Sequence, residues 1–221
     1  MSRKRFLGLF KSKQPDKYKQ KVSDHGLNNT VSVDDGISYD IFIKGNNNRV
    51  IITARKPLTP EQRKIAIGIC GDNNTVIIND LRTADLTIYI GNQVCVNNVN
   101  LEIGSCLACV QATILCYQSN VPIKIGAWCL FSKNVVFRSG ELPHKIYDIT
   151  TGQDLDFSDG IFVGNHVWIG EGAFIMKHAR IPDNSIVGAM SVVTKAFTDE
   201  NIVIAGNPAK ICKTNINWGE A

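Results

Sequence analysis

Residues 163–190 read VGNHVWIGEGAFIMKHARIPDNSIVGAM, and the spacing inside this stretch decides the fold. Aliphatic residues, mostly followed by a small one, recur about every six positions: Val163-Gly164, Ile169-Gly170, Phe174-Ile175, Ile181-Pro182 and Val187-Gly188. Ile169-Gly170, Val187-Gly188 and Ala205-Gly206 lie 18 residues apart in both intervals. Eighteen is three sixes, so three short strands with three tight corners close one triangular coil. The aliphatic residue points inward and stacks on its equivalents in neighbouring coils. The small residue lets the chain turn without a Cβ clash. A stack of such coils is a hexapeptide-repeat parallel β-helix, an all-β fold that grows in one dimension.

The N-terminal half repeats in a looser style. Gly26-Leu27-Asn28-Asn29-Thr30-Val31, Gly45-Asn46-Asn47-Asn48-Arg49-Val50 and Gly71-Asp72-Asn73-Asn74-Thr75-Val76 share the pattern G-x-N-N-x-V. The second interval is longer because Arg55-Lys56-Pro57-Leu58-Thr59-Pro60 is inserted, and Gly91 continues the series. Composition agrees. The 221 residues contain 27 Ile and 18 Val against 12 Leu, with 20 Asn and 18 Gly. β-Branched residues favour strands, and Asn and Gly tolerate left-handed corners. A helical bundle is excluded, and no apolar run approaches the ~20 residues of a membrane-spanning helix.

The formal charge of +4 is unevenly spread. Residues 1–21 hold eight Lys or Arg and one Asp, net +7, whereas the rest of the chain is mildly acidic at −3. This basic arm lacks the apolar core and cleavage site of a signal peptide. It is expected to pack or move freely, or to associate weakly with an anionic membrane surface or polymer. The β-helix is expected over 22–213 and a tail over 214–221. No interleaving of basic and aromatic residues points to nucleic acid. Seven Cys, an odd number, argue against a disulfide framework. Cys106 and Cys109 form a C-x-x-C with no second pair at zinc-site spacing, so the thiols read as small buried hydrophobes. That suits a reducing compartment, and the chain is expected in the cytoplasm or at the inner face of its membrane.

The repeat breaks most visibly over residues 138–159, a polar excursion about 20 residues longer than a corner needs. A loop on a rigid scaffold is where function concentrates. Of four histidines, His144 lies in this loop and His166 at a coil corner, while His25 and His178 read as solvated turn positions. An imidazole accepts a proton from a hydroxyl near neutral pH. No nucleophile–base pair is evident, so His144 reads as a general base for direct attack on an activated ester. Trp168 is too large for the coil interior and is expected to project outward with its indole N–H as a donor. The histidine spacing does not suit zinc, no metal is expected, and there is no phosphate-binding loop. At the C-terminal end Gly188, Ala189 and Gly206 expose backbone along a groove, and Lys195, Lys210 and Lys213 supply cations for a ligand carrying phosphates.

The run Gly164–Gly170, Ser185-Ile186-Val187-Gly188-Ala189, Val192-Val193-Thr194-Lys195 and Ile204-Ala205-Gly206-Asn207-Pro208-Ala209-Lys210 resembles the hexapeptide-repeat acyltransferase superfamily. The closer resemblance is to bacterial capsular polysaccharide and polysialic acid O-acetyltransferases, in which a loop ending His-x-Ile-Tyr precedes a Gly-Asn-His-Val-Trp coil. His144-Lys145-Ile146-Tyr147 and Trp168 match that arrangement, and Asn217-Trp218-Gly219 is similar too. The resemblance implies a left-handed coil, against the usual right-handed crossover. It implies a homotrimer with active sites between subunits, acetyl-CoA as donor and a sugar or polysaccharide acceptor. It assigns His144 as base, with Trp168 donating to the oxyanion or thiolate. CoA falls to Gly188, Ala189, Thr194, Lys195, Gly206, Lys210 and Lys213, and acceptor contacts to Arg138 and Tyr147. Many relatives carry Asp two residues before the histidine. Here that residue is Leu142, leaving Glu141, Asp148 or a backbone carbonyl to orient His144.

Two other readings compete with O-acetylation of a surface polysaccharide. One is N- or O-acetylation of a small sugar, nucleotide sugar or amino acid. The other is a non-catalytic β-helix that binds polysaccharide or acts as a scaffold, which explains the repeats and leaves the loop histidine without purpose.

Overall fold

A computed structural model describes residues 20–56, 63–155 and 157–219. Most of the basic arm, and the end of the insertion after Arg55, lie outside the described residues. In chain order the strands are β1 (Gln20–Asp24), β2 (Thr30–Val33), β3 (Ser38–Lys44), β4 (Arg49–Ala54), β5 (Arg63–Cys70), β6 (Thr75–Leu81), β7 (Thr83–Ile90), β8 (Asn100–Ile103), β9 (Ala108–Cys116) and β10 (Pro122–Ile125). They continue with β11 (Leu130–Phe131), β12 (Val135–Arg138), β13 (Ile161–Val163), β14 (Trp168–Ile169), β15 (Phe174–Met176), β16 (Arg180–Ile181), β17 (Ile186–Val187), β18 (Val192–Val193), β19 (Val203–Gly206) and β20 (Ala209–Lys213). No helix occurs among the described residues. The chain is a left-handed parallel β-helix.

One side of the coil is a seven-stranded parallel sheet, β2-β4-β6-β8-β10-β13-β16. The other strands form a sheet that forks at β9. Ala108 and Cys109 pair with β11, while Ala112–Leu115 pair with β12. Before the fork, one bent strand per coil covers most of the remaining perimeter. After it, β11, β14, β17 and β19 form a second side, and β12, β15 and β18 a third. The strict 18-residue period is confined to the C-terminal half for this reason: only there are all three sides separate flat strands. The final pair, β19 and β20, is antiparallel and closes the end of the stack.

Columns of apolar residues fill the interior. On the third side Ile41, Ile67, Ile88, Ile114, Phe137, Ile175 and Val193 stack in register and are all buried. On the first, Val50, Val76, Leu101, Ile123 and Ile161 do the same. Each such side chain contributes roughly 1.5–3 kcal/mol by leaving water. Cys109 stands in the second-side column between Ala84 and Phe131, with Ile169, Val187 and Ile204 following. The reading of every thiol as core needs correction. Cys106, Cys109, Cys116 and Cys129 are buried, but Cys70 is half-buried and Cys95 and Cys212 are exposed. The exposed pair lie outside the inward positions of any strand column, which the cysteine count alone does not reveal.

The corners explain the Asn excess. Corner one, leading into the first side, carries Asn28, Asn47, Asn73, Asn98, Asn120 and His178, all with positive φ. Corner two, between first and second sides, carries Cys106, Trp128, His166, Asn184 and Asn201; corner three carries Asn134, Gly172 and Met190. The backbone N–H of each stacked corner residue donates to a carbonyl one coil earlier, as in Asn73 to Asn46 and His166 to Ala127. The second Asn of the G-x-N-N-x-V pattern turns inward. Asn48 and Asn74 are buried and form a ladder, with the Asn74 amide donating to Asn48 Oδ1 at 3.0 Å.

Candidate active site

The polar excursion leaves corner one between the end of β12 at Arg138 and the start of β13 at Ile161. Both of its roots are fastened. Arg138 donates from Nε to Glu141 Oε2 at 3.0 Å and lies over the Tyr117 ring at 5.2 Å. At the other root, Asp159 accepts from Arg180 Nη2 at 2.7 Å and pairs with His178 Nδ1 at 2.9 Å. The arginine hydrogen bond, then that of His178, hold the Asp159 carboxyl below the usual carboxylate range. His178 is therefore an anchor for the loop, not merely a solvated turn residue. Leu142 packs against the core and pulls the loop down onto the scaffold.

The middle of the loop is a small hairpin. Tyr147 and Asp154 bridge in antiparallel fashion, and Lys145 lies 3.5 Å from Asp154. Asp148 Oδ1 accepts from the backbone N–H groups of Thr150 and Thr151 and from the Thr151 hydroxyl. The amide bonds, with Thr151 first, depress its carboxyl. Tyr147 is exposed, as are Ile146, Ile149, Leu155 and Phe157.

His144 stands at the first turn of this loop, where its backbone N–H donates to the Glu141 carbonyl at 3.1 Å. Its exposed imidazole borders two cavities. One, about 270 Å³, is lined by Asn92, Gln93, Tyr117, Arg138 and His144 among others. The other, about 210 Å³, is lined by Gln118, Glu141, Lys145 and Asp154 with His144. The two carboxylates considered for orienting the imidazole have other partners here: Glu141 pairs with Arg138, and Asp148 accepts from its own turn. Arg138 is thus a wall of the first cavity and a strut of the loop at once.

Trp168 lies elsewhere. It is on β14 of the second side, the side opposite corner one, and it does project outward. Its indole N–H donates to Ser132 Oγ at 3.3 Å. Beside it the tail returns across the coils: the Asn201 side chain donates to the Ile216 carbonyl, and Trp218 Nε1 donates to the His166 carbonyl at 2.8 Å. The Trp218 ring stacks on His166 at 4.2 Å and 12°. With Trp128, His166 and Arg82 it lines a cavity of about 180 Å³. Nothing in the repeat pointed to this clasp, because the tail has no period. The pairing of His166 Nδ1 with Asn184 Oδ1, at 3.1 Å and one 18-residue coil apart, was within reach of the period.

The residues assigned to CoA gather partly. Gly188 and Ala189 form corner three after β17, and Gly206 ends β19 with φ +102, just before the turn into β20. A Cβ on Gly188 would meet Ala205 Cβ at 2.8 Å, so only glycine fits there. The Gly206 N–H donates to Ser191 Oγ at 3.1 Å, and Lys210 lies opposite Ala205. Thr194 and Lys195 follow β18 toward corner one, with the Lys195 ammonium over Phe197 at 5.2 Å. Lys213, opposite Val203, lies toward corner two. Among the described residues no group of three or more His, Cys, Asp or Glu could hold a metal.

A solenoid of hexapeptide coils, interrupted by one fastened loop that presents a histidine beside cavities, is the arrangement expected of a hexapeptide-repeat acyltransferase, and the chain is similar to proteins of that kind. Among them are polysialic acid O-acetyltransferases. The Neisseria meningitidis polysialic acid O-acetyltransferase is 29% identical over 211 residues, covering 89% of this chain and 88% of that protein. The crystal structure of the polysialic acid-specific acetyltransferase NeuO matches with a TM-score of 0.76 at 25% identity, over 93% of this chain and 90% of that one. That of the polysialic acid O-acetyltransferase OatWY matches with a TM-score of 0.71 at 29% identity, over 91% and 92%. No family model matches the chain. The relatives are acetyltransferases, which supports acyltransferase activity here.

Proposed function

We propose that this chain transfers an acetyl group from acetyl-CoA to a hydroxyl of a bacterial capsular or surface polysaccharide, with polysialic acid as the acceptor its relatives favour. The observation that carries the reading is the imidazole of His144, exposed between two cavities on a loop fastened at both roots. In the proposed step His144 takes the proton of an acceptor hydroxyl. The oxygen attacks the thioester carbonyl, the C–S bond breaks, and the departing CoA sulfur receives that proton from the imidazolium. Pre-positioning by a fixed loop reduces the entropic part of the barrier.

Trp168 and His144 lie across the coil from one another, so one chain does not offer both to the same thioester. The site is completed by a neighbouring subunit of a homotrimer, whose Trp168 indole N–H leaves Ser132 to stabilise the developing negative charge. A pantetheine arm would run along the corner at Gly188 and Ala189 and past Gly206 at the end of β19, with Lys210, and Lys195 and Lys213 farther out, toward its phosphates. Tyr147 and Arg138 border the acceptor.

The test is His144→Ala assayed by thiol release with polysialic acid as acceptor. Turnover should fall by about 10²–10⁴-fold, the usual worth of a positioned general base, while CoA affinity by calorimetry is retained. Undiminished turnover in this variant would remove His144 from the chemistry. Wild-type thiol release with small sugars or amino acids only would move the acceptor to that class, and absence of acetyl-CoA binding would favour a binding or scaffold role.

A further inference from the structure

Cys70 and Cys95 lie one coil apart at corner one, with their sulfur atoms 3.2 Å apart. Cys70 ends β5. Cys95 sits in the segment that bulges between β7 and β8. The backbone beneath them is tightly joined: the Val96 N–H donates to the Cys70 carbonyl at 2.8 Å, and a Cβ on Gly71 would meet the Val96 carbonyl oxygen at 2.0 Å. The pair is unlike the other thiols. Cys106, Cys109, Cys116 and Cys129 are buried, and the exposed Cys212 sulfur approaches only the carbonyls of Ala205 and Lys210. Closing the gap to a disulfide needs a shift of roughly 1 Å, small for an exposed side chain on a bulge.

The bulge is also a wall. Gly91, Asn92, Gln93, Val94 and Val96 line the 270 Å³ cavity beside His144, and Cys95 lies within that run, between Val94 and Val96. We propose that Cys70 and Cys95 form a reversible disulfide that fixes the Gly91–Val96 wall against β5 and so tunes the cavity at His144. The cross-link rests on the sulfur geometry alone; its effect on turnover rests on the acetyltransferase reading above.

Cys95 is the exposed partner and meets the oxidant first. With a small disulfide RSSR, the Cys95 thiolate attacks one sulfur, forms a mixed disulfide and expels RS⁻, which takes up the proton that Cys95 lost. Cys70 then gives up its proton and attacks the Cys95 sulfur, expelling the second RS⁻, which takes that proton. The protein is oxidised by two electrons and RSSR is reduced to two RSH. Burial, then the Cys95 contact, raises the Cys70 thiol above its ordinary range, so Cys70 is slow to react with an oxidant on its own and follows Cys95.

The test treats the native full-length chain with oxidised glutathione, alkylates free thiols and maps peptides by mass. The expected product is a Cys70–Cys95 linkage, with two fewer titratable thiols per chain, absent in Cys95→Ser and in Cys70→Ser. Amide hydrogen exchange over residues 91–96 should slow on oxidation and recover with dithiothreitol. Glutathione retained on Cys95 while Cys70 stays alkylatable would overturn the cross-link. A linkage that leaves exchange at 91–96 unchanged would overturn the clamp. If turnover is measurable, oxidation should shift the acceptor KM of the wild type at least twofold and leave the Cys70→Ser/Cys95→Ser double variant unmoved; equal KM in both redox states overturns the coupling. A chain inactive in both redox states refutes the acetyltransferase reading and leaves the mass and exchange results to judge the cross-link.

Discussion

Asn73 and Asn74 are adjacent in sequence and do opposite work. Asn73 turns corner one at φ +59, where its side chain accepts from Asn47 Nδ2 at 3.2 Å in solvent. Asn74 is buried; its Nδ2 donates to Asn48 Oδ1 and to the Val96 carbonyl, and its Oδ1 accepts from the Val99 N–H, each at 3.0 Å. Asn74→Ala strips the Val96 carbonyl and the Val99 N–H of these bonds inside the coil, and each buried group left unpaired costs about 1–3 kcal/mol. Asn73→Ala forces a Cβ residue without a local polar side chain to hold the left-handed backbone, at about 1–2 kcal/mol, whereas Asn73→Gly should be nearly neutral. Urea midpoints at constant m-value measure all three. Equal loss in Asn74→Ala and Asn73→Gly would mean that the buried ladder contributes nothing of its own.

At the scale of the element, the loop that carries His144 depends on two clamps built one coil away from each other. The Asp159 carboxyl is held below its ordinary range by Arg180 first and His178 next. A depressed carboxylate stabilises the attached state at pH above the unfolded-state value of about 3.9, and that contribution is lost as pH falls through the folded-state value. Because the pair is largely exposed, it contributes at most about 1 kcal/mol to global stability. The expected signature is local. Arg180→Ala should leave the unfolding midpoint within error, speed proteolytic cutting within 145–158 several-fold at neutral pH, and lower turnover. Wild-type loop cutting should rise on acidification only below about pH 4. Unchanged cutting in Arg180→Ala would mean that this clamp does not hold the loop. The extent of this loop and the presence of His144 in it were legible in the chain, because a polar run of wrong length stands out against an 18-residue period. Its fastening was less so. Asp159 and His178 are 19 residues apart, near one coil, so the period itself brings them together. The Arg138–Glu141 strut and the Tyr147–Asp154 bridge follow no period and emerge only from the fold. The Trp218 clasp was hidden for the same reason.

For the whole molecule, charge and symmetry set the remaining expectations. The body of the chain is mildly acidic and the first 21 residues are strongly basic, so any attraction to an anionic surface belongs to the arm. If the chain binds vesicles containing phosphatidylglycerol at low salt, removing residues 1–19, which leaves β1 intact, should weaken that binding more than it changes turnover; undiminished binding would clear the arm of that role. The stronger test concerns assembly. His144 leaves corner one, and Trp168 occupies the side facing away from it, so a site needing both must draw them from different copies. In a closed ring every subunit presents its His144 loop to one neighbour and its Trp168 side to the other. Chains carrying His144→Ala and chains carrying Trp168→Ala should therefore each be impaired alone. Denatured together in equal amounts and refolded, they assemble at random, and about a quarter of the interfaces then pair an intact His144 with an intact Trp168. Turnover should recover to about that fraction of wild type, and only when the two variants are mixed before assembly. If each chain holds a complete site, no mixture of the two can exceed the activity of its components.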